Sequence, residues 1–186
     1  MFGDAFTSVL EGARGGEPWA LEAIYRDLAP GVLGYLRGQR AAEPEDLTSE
    51  VFVGIVRGLP TFRGQEPDFR SWVFSITHRR LLDERRRRAR RREDAVDPSA
   101  LAGALAATSA GDAETEALAR LGEGWALRAI GVLTADQRSV LLLRVLADLS
   151  VEEVARILGK REGAVKTLQR RALASLARLL EREGVS

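Results

Sequence analysis

The sequence contains no cysteine and a single histidine, His78. The first absence excludes disulfides, thiolate zinc sites, iron–sulfur clusters and cysteine nucleophiles. The second leaves no histidine-rich metal site and no histidine pair. Aromatic residues are scarce, at 6%, and no apolar run approaches the ~20 residues that span a bilayer. The acidic, glycine-containing start does not have the form of a signal peptide. These absences predict a cytoplasmic, soluble chain without metal, cofactor or membrane insertion, and one poorly supplied for enzymology.

What is present favours helices. Ala, Leu and Val dominate a hydrophobic fraction of 45%, and Glu and Arg are abundant. With 186 residues there is room for one medium domain or two small ones, each with a modest core.

The 28 basic and 27 acidic residues nearly cancel, to a formal net charge of +1, but they are segregated along the chain. Residues 1–60 carry −4, and 78–92, HRRLLDERRRRARRR, carry +7. Residues 93–125 carry −6 and 126–182 carry +5. Two basic zones flanking an acidic one predict two polyanion-facing surfaces joined by a tether. Between Glu93 and about Thr115 the chain is mostly Ala, Gly, Ser, Asp and Glu with Pro98 and no aromatics, which predicts mobility, with transient helix at 99–107.

In the N-terminal half, apolar residues from Trp19 through Tyr25 to Leu36 recur at helical spacing, and Pro30 predicts a break or kink into two helices. Pro44 with Glu43, Glu45 and Asp46 marks another helix start. Leu47, Val51, Ile55 and Leu59 form its buried stripe, while Asp46, Glu50, Val53 and Arg57 share a different face. That face is open to either a partner or solvent. Residues 60–70 predict a loop, followed by a helix starting near Phe69 and running into the arginines. Phe or Trp beside Arg suits single-stranded nucleic acid, because unstacked bases stack on rings while guanidinium groups hold phosphates. The competing reading makes Phe69 and Trp72 simply core.

The C-terminal half is the most informative. Thr134 with Gln137 and Ser150 with Glu153 read as capping boxes. The helix after the first is expected to bury Val140, Leu141, Leu143 and Val145; the second runs from Val151 to Leu158. Gly159 permits a sharp turn into a third helix from about Glu162. There Val165, Leu168, Ala172, Leu176 and Leu179 lie opposite Arg161, Lys166, Thr167, Gln169, Arg170 and Arg171. Small Ala155, Gly159 and apolar Val165 have the offsets of a DNA-binding helix-turn-helix. Arg, Lys and Gln on the polar face can reach base edges and phosphates.

Three blocks, EDLTSEVFVGIVRGLPTFRG, FRSWVFSITHRRLLDERRRR and LSVEEVARILGKREGAVKTLQRRAL, resemble the extracytoplasmic-function (ECF) sigma factors of bacterial RNA polymerase. The first two are similar to the family's region 2 and the last to its region 4. The resemblance implies an all-α fold of two small helical domains, 1–92 and 119–186, joined by a flexible acidic linker at 93–118. It implies core-polymerase contacts, to β′ and β, through Asp46, Glu50, Val53 and Arg57. It assigns −10 recognition and DNA opening to Phe62, Arg63, Phe69, Arg70, Trp72, His78, Arg79, Arg80, Arg85 and Arg86. Reading of the −35 duplex would fall to Lys160, Arg161, Glu162, Lys166, Thr167, Gln169, Arg170 and Arg171. An anti-sigma partner is implied as well, and a linker path near the RNA exit channel, which its acidity suits. Departures from the family pattern, at His78, Arg79 and the Leu168–Gln169 pair, bear on promoter sequence. The C-terminal half alone also fits a helix-turn-helix regulator acting beside polymerase, and the Arg run alone fits an RNA-binding adaptor.

Overall fold

The computed structural model describes residues 2–94 and 129–183. Among the described residues, a short 3-10 turn is followed by the helices α1 (Phe6–Arg14), α2 (Pro18–Gly38), α3 (Pro44–Gly58), α4 (Glu66–Asp94), α5 (Ala135–Val145), α6 (Val151–Leu158) and α7 (Glu162–Glu183). No strand occurs among the described residues, so the all-α expectation holds. Helices α1–α4 form one unit and α5–α7 a second. The tether expected at 93–118, and the helix expected at 99–107, lie outside the described residues except where α4 continues to Asp94.

The expected break at Pro30 does not occur: α2 is continuous through it. Proline in a helix interior costs about 3 kcal/mol. Against that stand Ile24 and Leu28 before it and Val32, Tyr35 and Leu36 after it, all buried on one continuous face. Each such side chain stabilises by about 1.5–3 kcal/mol, so packing of both halves outweighs one lost hydrogen bond. Pro30 itself points to solvent. Trp19 and Tyr25, on the same apolar run, are not core residues; they are 51% and 52% exposed.

Helix α3 starts at Pro44 and buries Leu47, Val51 and Ile55, with Leu59 at its C-cap, as the four-residue repeat requires. Helix α4 starts at Glu66, earlier than Phe69. Asp68 Oδ2 accepts the Gln65 N–H at 2.9 Å, and Glu66 accepts the Phe2 N–H at 2.6 Å. Those carboxylates satisfy backbone donors that a helix start otherwise leaves unpaired.

In the second unit both capping boxes are present, at Thr134 with Gln137 and Ser150 with Glu153. Gly159 ends α6 in the left-handed region, φ +61°, where a side chain would be strained. Val154, Ala155 and Val165 join one buried cluster at the α6–α7 crossing, and Ala172, farther along α7, is buried as well. On α5 the structure corrects the expected face: Val145 is 67% exposed, and Leu142 is buried in its place.

The reason is that α5 packs on two sides. Val140 and Leu143 serve its own unit, whereas Leu142 and Leu146 lie against α2 of the first. A Cβ on Gly38 would stand 2.7 Å from Leu142 Cδ1, and one on Gly34 would stand 3.3 Å from Leu146 Cδ1. Beside this contact, buried Gln39 Nε2 donates to Ser139 Oγ at 2.7 Å, across 100 residues of sequence. Arg85 Nη2 donates to the Gln39 carbonyl at 2.6 Å, and Tyr35 Oη shares a 2.8 Å hydrogen bond with His78 Nδ1.

Two stability outcomes follow from this packing. Ile55→Ala should cost about 2–5 kcal/mol in urea unfolding, while Val53→Ala, exposed on the same helix, should stay within about 0.5 kcal/mol. Burial, reinforced by the Arg85 charge, pushes the His78 imidazole below its ordinary value; the Asp136 carboxylate opposes this. The folded chain therefore favours the neutral ring. Stability is intact above about pH 6.5 and is lost as pH falls through the lower folded value. Thermal midpoints taken between about pH 8 and pH 5 should fall more steeply for the wild type than for His78→Gln; equal slopes would show that His78 does not carry this dependence.

Candidate nucleic-acid interface

The residues expected to meet polymerase lie on the outer side of α3. Asp46, Glu50, Val53 and Arg57 are all exposed, with Val53 at 48%. Glu50 is not isolated: its Oε2 lies 3.6 Å from Arg87 Nη2 and 4.0 Å from Arg80 Nη1, both on α4. Exposed pairs of this kind stabilise by less than about 1 kcal/mol, so they can be exchanged for a partner's charges. Beside Val53 and Arg57, α2 and α3 frame an apolar groove of about 630 Å³, lined by Leu21, Ile24, Tyr25, Phe52 and Val56 among others. Tyr25 and Phe52 pack at its edge, tilted, with centroids 4.7 Å apart. The sequence reading missed this groove. Its signal was Val53 and Val56, apolar residues outside the stripe Leu47–Val51–Ile55–Leu59.

The expected −10 residues divide. Phe62 and Phe69 are buried, and with Trp72 they form an aromatic cluster with centroids 5.1 to 5.6 Å apart. Their rings pack on each other and on Phe6, so neither Phe62 nor Phe69 presents a face for base stacking in this arrangement. Half-buried Trp72 lines a second pocket of about 650 Å³ with Thr61, Arg63, Asp68, Ser71 and Ser75. Arg156 and Ile157 of α6 close its far wall.

Among the cations, Arg63 and Arg79 are exposed, and Arg63 Nη1 donates to the Pro60 carbonyl at 2.8 Å. Arg86 is exposed beside Asp83, at 3.3 Å. Arg80 leans on Glu50. Three others are turned inward: Arg70 Nη1 donates to the Ala147 carbonyl at 3.3 Å, Arg85 holds Gln39, and His78 holds Tyr35. The structure thus brings Arg63 and Trp72 together at one pocket and leaves Arg79 and Arg86 along the outside of α4. Arg70 belongs to the contact between units, while His78 and Arg85 tie α4 to α2 within the first unit.

On α7 the expected polar face is an outward one. Arg161, Glu162, Lys166, Arg170 and Arg171 are exposed, and Thr167 and Gln169 flank them half-buried, opposite buried Val165 and Ala172. Lys160 Nζ pairs with Asp136 Oδ2 at 2.8 Å, tying the turn to α5, and Lys166 lies 3.9 Å from Glu162. Thr167 Oγ1 donates back to the Gly163 carbonyl at 2.9 Å. A helix held by a capped neighbour and a left-handed glycine, with four cations outward, is the geometry that enters a major groove.

Comparison with known proteins agrees with both halves. Sigma-70 region 2 matches residues 24–91, and Sigma-70 region 4 matches residues 123–176. The ECF RNA polymerase sigma factor BldN of Streptomyces coelicolor is 36% identical over 174 residues, covering 92% of this chain, which spans 64% of BldN. The ECF RNA polymerase sigma factor ShbA of Streptomyces griseus is 31% identical over 173 residues, covering 89% of this chain and 90% of ShbA. CnrH, solved in complex with the cytosolic domain of CnrY, shares the fold with a TM-score of 0.65 at 22% identity, over 96% of this chain and 99% of CnrH. By these matches the chain belongs to the ECF RNA polymerase sigma factors.

Proposed function

We propose that the chain is a promoter-recognition subunit that joins core RNA polymerase, reads the −35 and −10 elements and helps open the DNA between them. The observation that carries this reading is the coexistence of three separate surfaces on one small chain. They are the outward cationic face of α7, the Arg63–Trp72 pocket, and the acidic and apolar face of α3. A regulator acting beside polymerase needs the first and has no use for the other two.

In this reading Asp46, Glu50, Val53 and Arg57 meet the β′ subunit, with the groove beside Val53 and Tyr25 as the apolar centre of the contact. Interface energy concentrates in such desolvated centres, with a polar rim around them. Trp72 and Arg63, with Arg79, Arg80 and Arg86, hold the −10 strand. The face from Arg161 to Arg171 enters the −35 major groove. The division is two DNA-facing domains, 1–92 and 119–186, with the acidic stretch 93–118 between them. The subunit directs polymerase without catalysing a reaction itself and works in the cytoplasm. An anti-sigma protein, as family members commonly have, is its controlling partner. Among the described residues no helix is long and apolar enough to cross a membrane.

Mixing the chain with core polymerase and a random-sequence promoter library tests the whole reading: co-migration with core and promoter-dependent transcripts are expected. Duplex binding without either would make it the regulator instead. Val53→Asp, which places a charge in the apolar groove, should weaken core affinity by about tenfold or more, read by fluorescence titration. Arg170→Ala and Lys166→Ala should each weaken −35 duplex binding and lower the salt slope by about 1 for each phosphate contact removed. Unchanged slopes for both would move the reading face elsewhere.

A further inference from the structure

Arg14, at the end of α1, reaches 45 and 48 residues along the chain to the turn that leaves α3. Its Nε donates to the Leu59 carbonyl at 3.2 Å and its Nη2 to the Phe62 carbonyl at 2.5 Å. One planar guanidinium thus bridges both ends of the turn Leu59–Phe62, a task its fixed fork of donors suits. The same N-terminal segment holds the far side of the loop. Glu66, at the start of α4, accepts the Phe2 N–H at 2.6 Å through one carboxylate oxygen and the Gly3 N–H at 3.1 Å through the other. Arg63 and Gly64 lie between the two held ends, and Gly64 takes a φ of +147°.

Arg63 is folded back on this turn. Its Nη1 donates to the Pro60 carbonyl at 2.8 Å and to the Phe62 carbonyl at 2.7 Å. The Phe62 carbonyl therefore accepts from two guanidinium groups, one for each of its lone pairs. When Arg63 leaves, the two carbonyls fare differently. Pro60 is exposed, so its oxygen turns to water. Phe62 is buried, and an acceptor there is costly to leave unpaired.

We infer that Arg14 is a positioning residue for −10 capture: it fixes the Leu59–Phe62 turn and keeps the Phe62 carbonyl satisfied, so that Arg63 can swing out to the DNA strand. The inference rests on the proposed −10 role of Arg63. Arg14 acts through Arg63 and does not itself meet the strand. Without Arg14, the Phe62 carbonyl has Arg63 as its remaining guanidinium, and strand binding must break a bond that nothing replaces.

Arg14→Met keeps an apolar stem and removes both donors, and because Arg14 is exposed the change opens no core cavity. Holoenzyme assembled from core polymerase and this variant is titrated with a single-stranded −10 oligonucleotide from a promoter selected with wild-type holoenzyme. Its affinity should fall about tenfold, the worth of one charge-assisted hydrogen bond. Affinity for a −35 duplex should stay within about twofold. Arg63→Ala should also weaken strand binding, and adding Arg14→Met to it should weaken it by less than about twofold more, because both act on one contact. Arg14→Lys keeps a cationic donor and should recover most of the loss. Val9→Ala, a cavity in the buried face of the same helix, should lower Tm and leave strand affinity within about twofold.

Unchanged strand affinity in Arg14→Met would overturn the inference. So would losses that multiply in the double variant, since Arg14 would then act apart from Arg63. A loss in Val9→Ala equal to that in Arg14→Met would overturn it too, because helix stability alone would explain both. Should Arg14→Met not fold, Arg14→Gln, with a single amide donor group, takes its place in the same cycle. If Arg63→Ala weakens the strand and the Arg14 results are negative, the positioning role alone falls. If Arg63→Ala leaves strand affinity unchanged in a holoenzyme that initiates, the proposed −10 role of Arg63 falls and that of Arg14 with it.

Discussion

The close approach of α5 to α2 is the constraint on which the rest of the arrangement depends. Gly31, Gly34 and Gly38 lie three and four residues apart on one helix, and each weakens it by about 1 kcal/mol relative to alanine. An isolated helix would be better off without them. The loss is offset because the missing side chains let Leu142 and Leu146 settle against the α2 backbone. Leu142 burial and the Gln39–Ser139 hydrogen bond supply stabilisation of the same order. The same helix buries Ile24, Leu28 and Val32 in the first unit and shows Tyr25 to the apolar groove. One helix therefore serves the first core, the seam and the docking face together.

Most of the helical order was legible because its signals are local. The capping boxes, the left-handed Gly159, the Pro44 start and the Leu47–Val51–Ile55–Leu59 stripe depend on neighbours within a turn or two, and all appear where the residues place them. Seam and groove were not, because each needs two distant segments. Val145 was expected inside on α5 because a single packing partner was assumed. With α2 as a second partner, Leu142 is buried and Val145 is left to solvent. The run Val140–Leu141–Leu142–Leu143 held that information, since a helix apolar on most sides is buried on more than one. Pro30 misled for a related reason: local propensity against a helix interior yields to burial on both sides of it.

The site residues show the same division. The α7 face was readable because polar and buried positions alternate with helical period and nothing distant intrudes on it. The −10 set was less so. Aromatics near arginines suggested stacking surfaces, yet Phe62 and Phe69 are more useful to one another: each buried ring removes a large apolar area from water and gains edge contacts with its neighbours. Only Trp72 retains an open edge at the pocket. Of the cations, Arg70 and Arg85, each with a backbone carbonyl to meet across the fold, turned inward, which residue type alone does not reveal.

Charge segregation gains a structural meaning from this. The −4 of residues 1–60 and the +7 of 78–92 meet where Glu50 lies between Arg80 and Arg87, so part of the near-neutral total is balanced in space as well as in sum. The cationic face of α7 faces solvent. The pocket at Trp72 has Arg156 and Ile157 of α6 as one wall. A chain without cysteine and with one inward-facing histidine has little of its own chemistry with which to sense anything. What it has is geometry: α5 packs on its own unit and on α2 at once, and α6 supplies Arg156 and Ile157 to the pocket at Trp72.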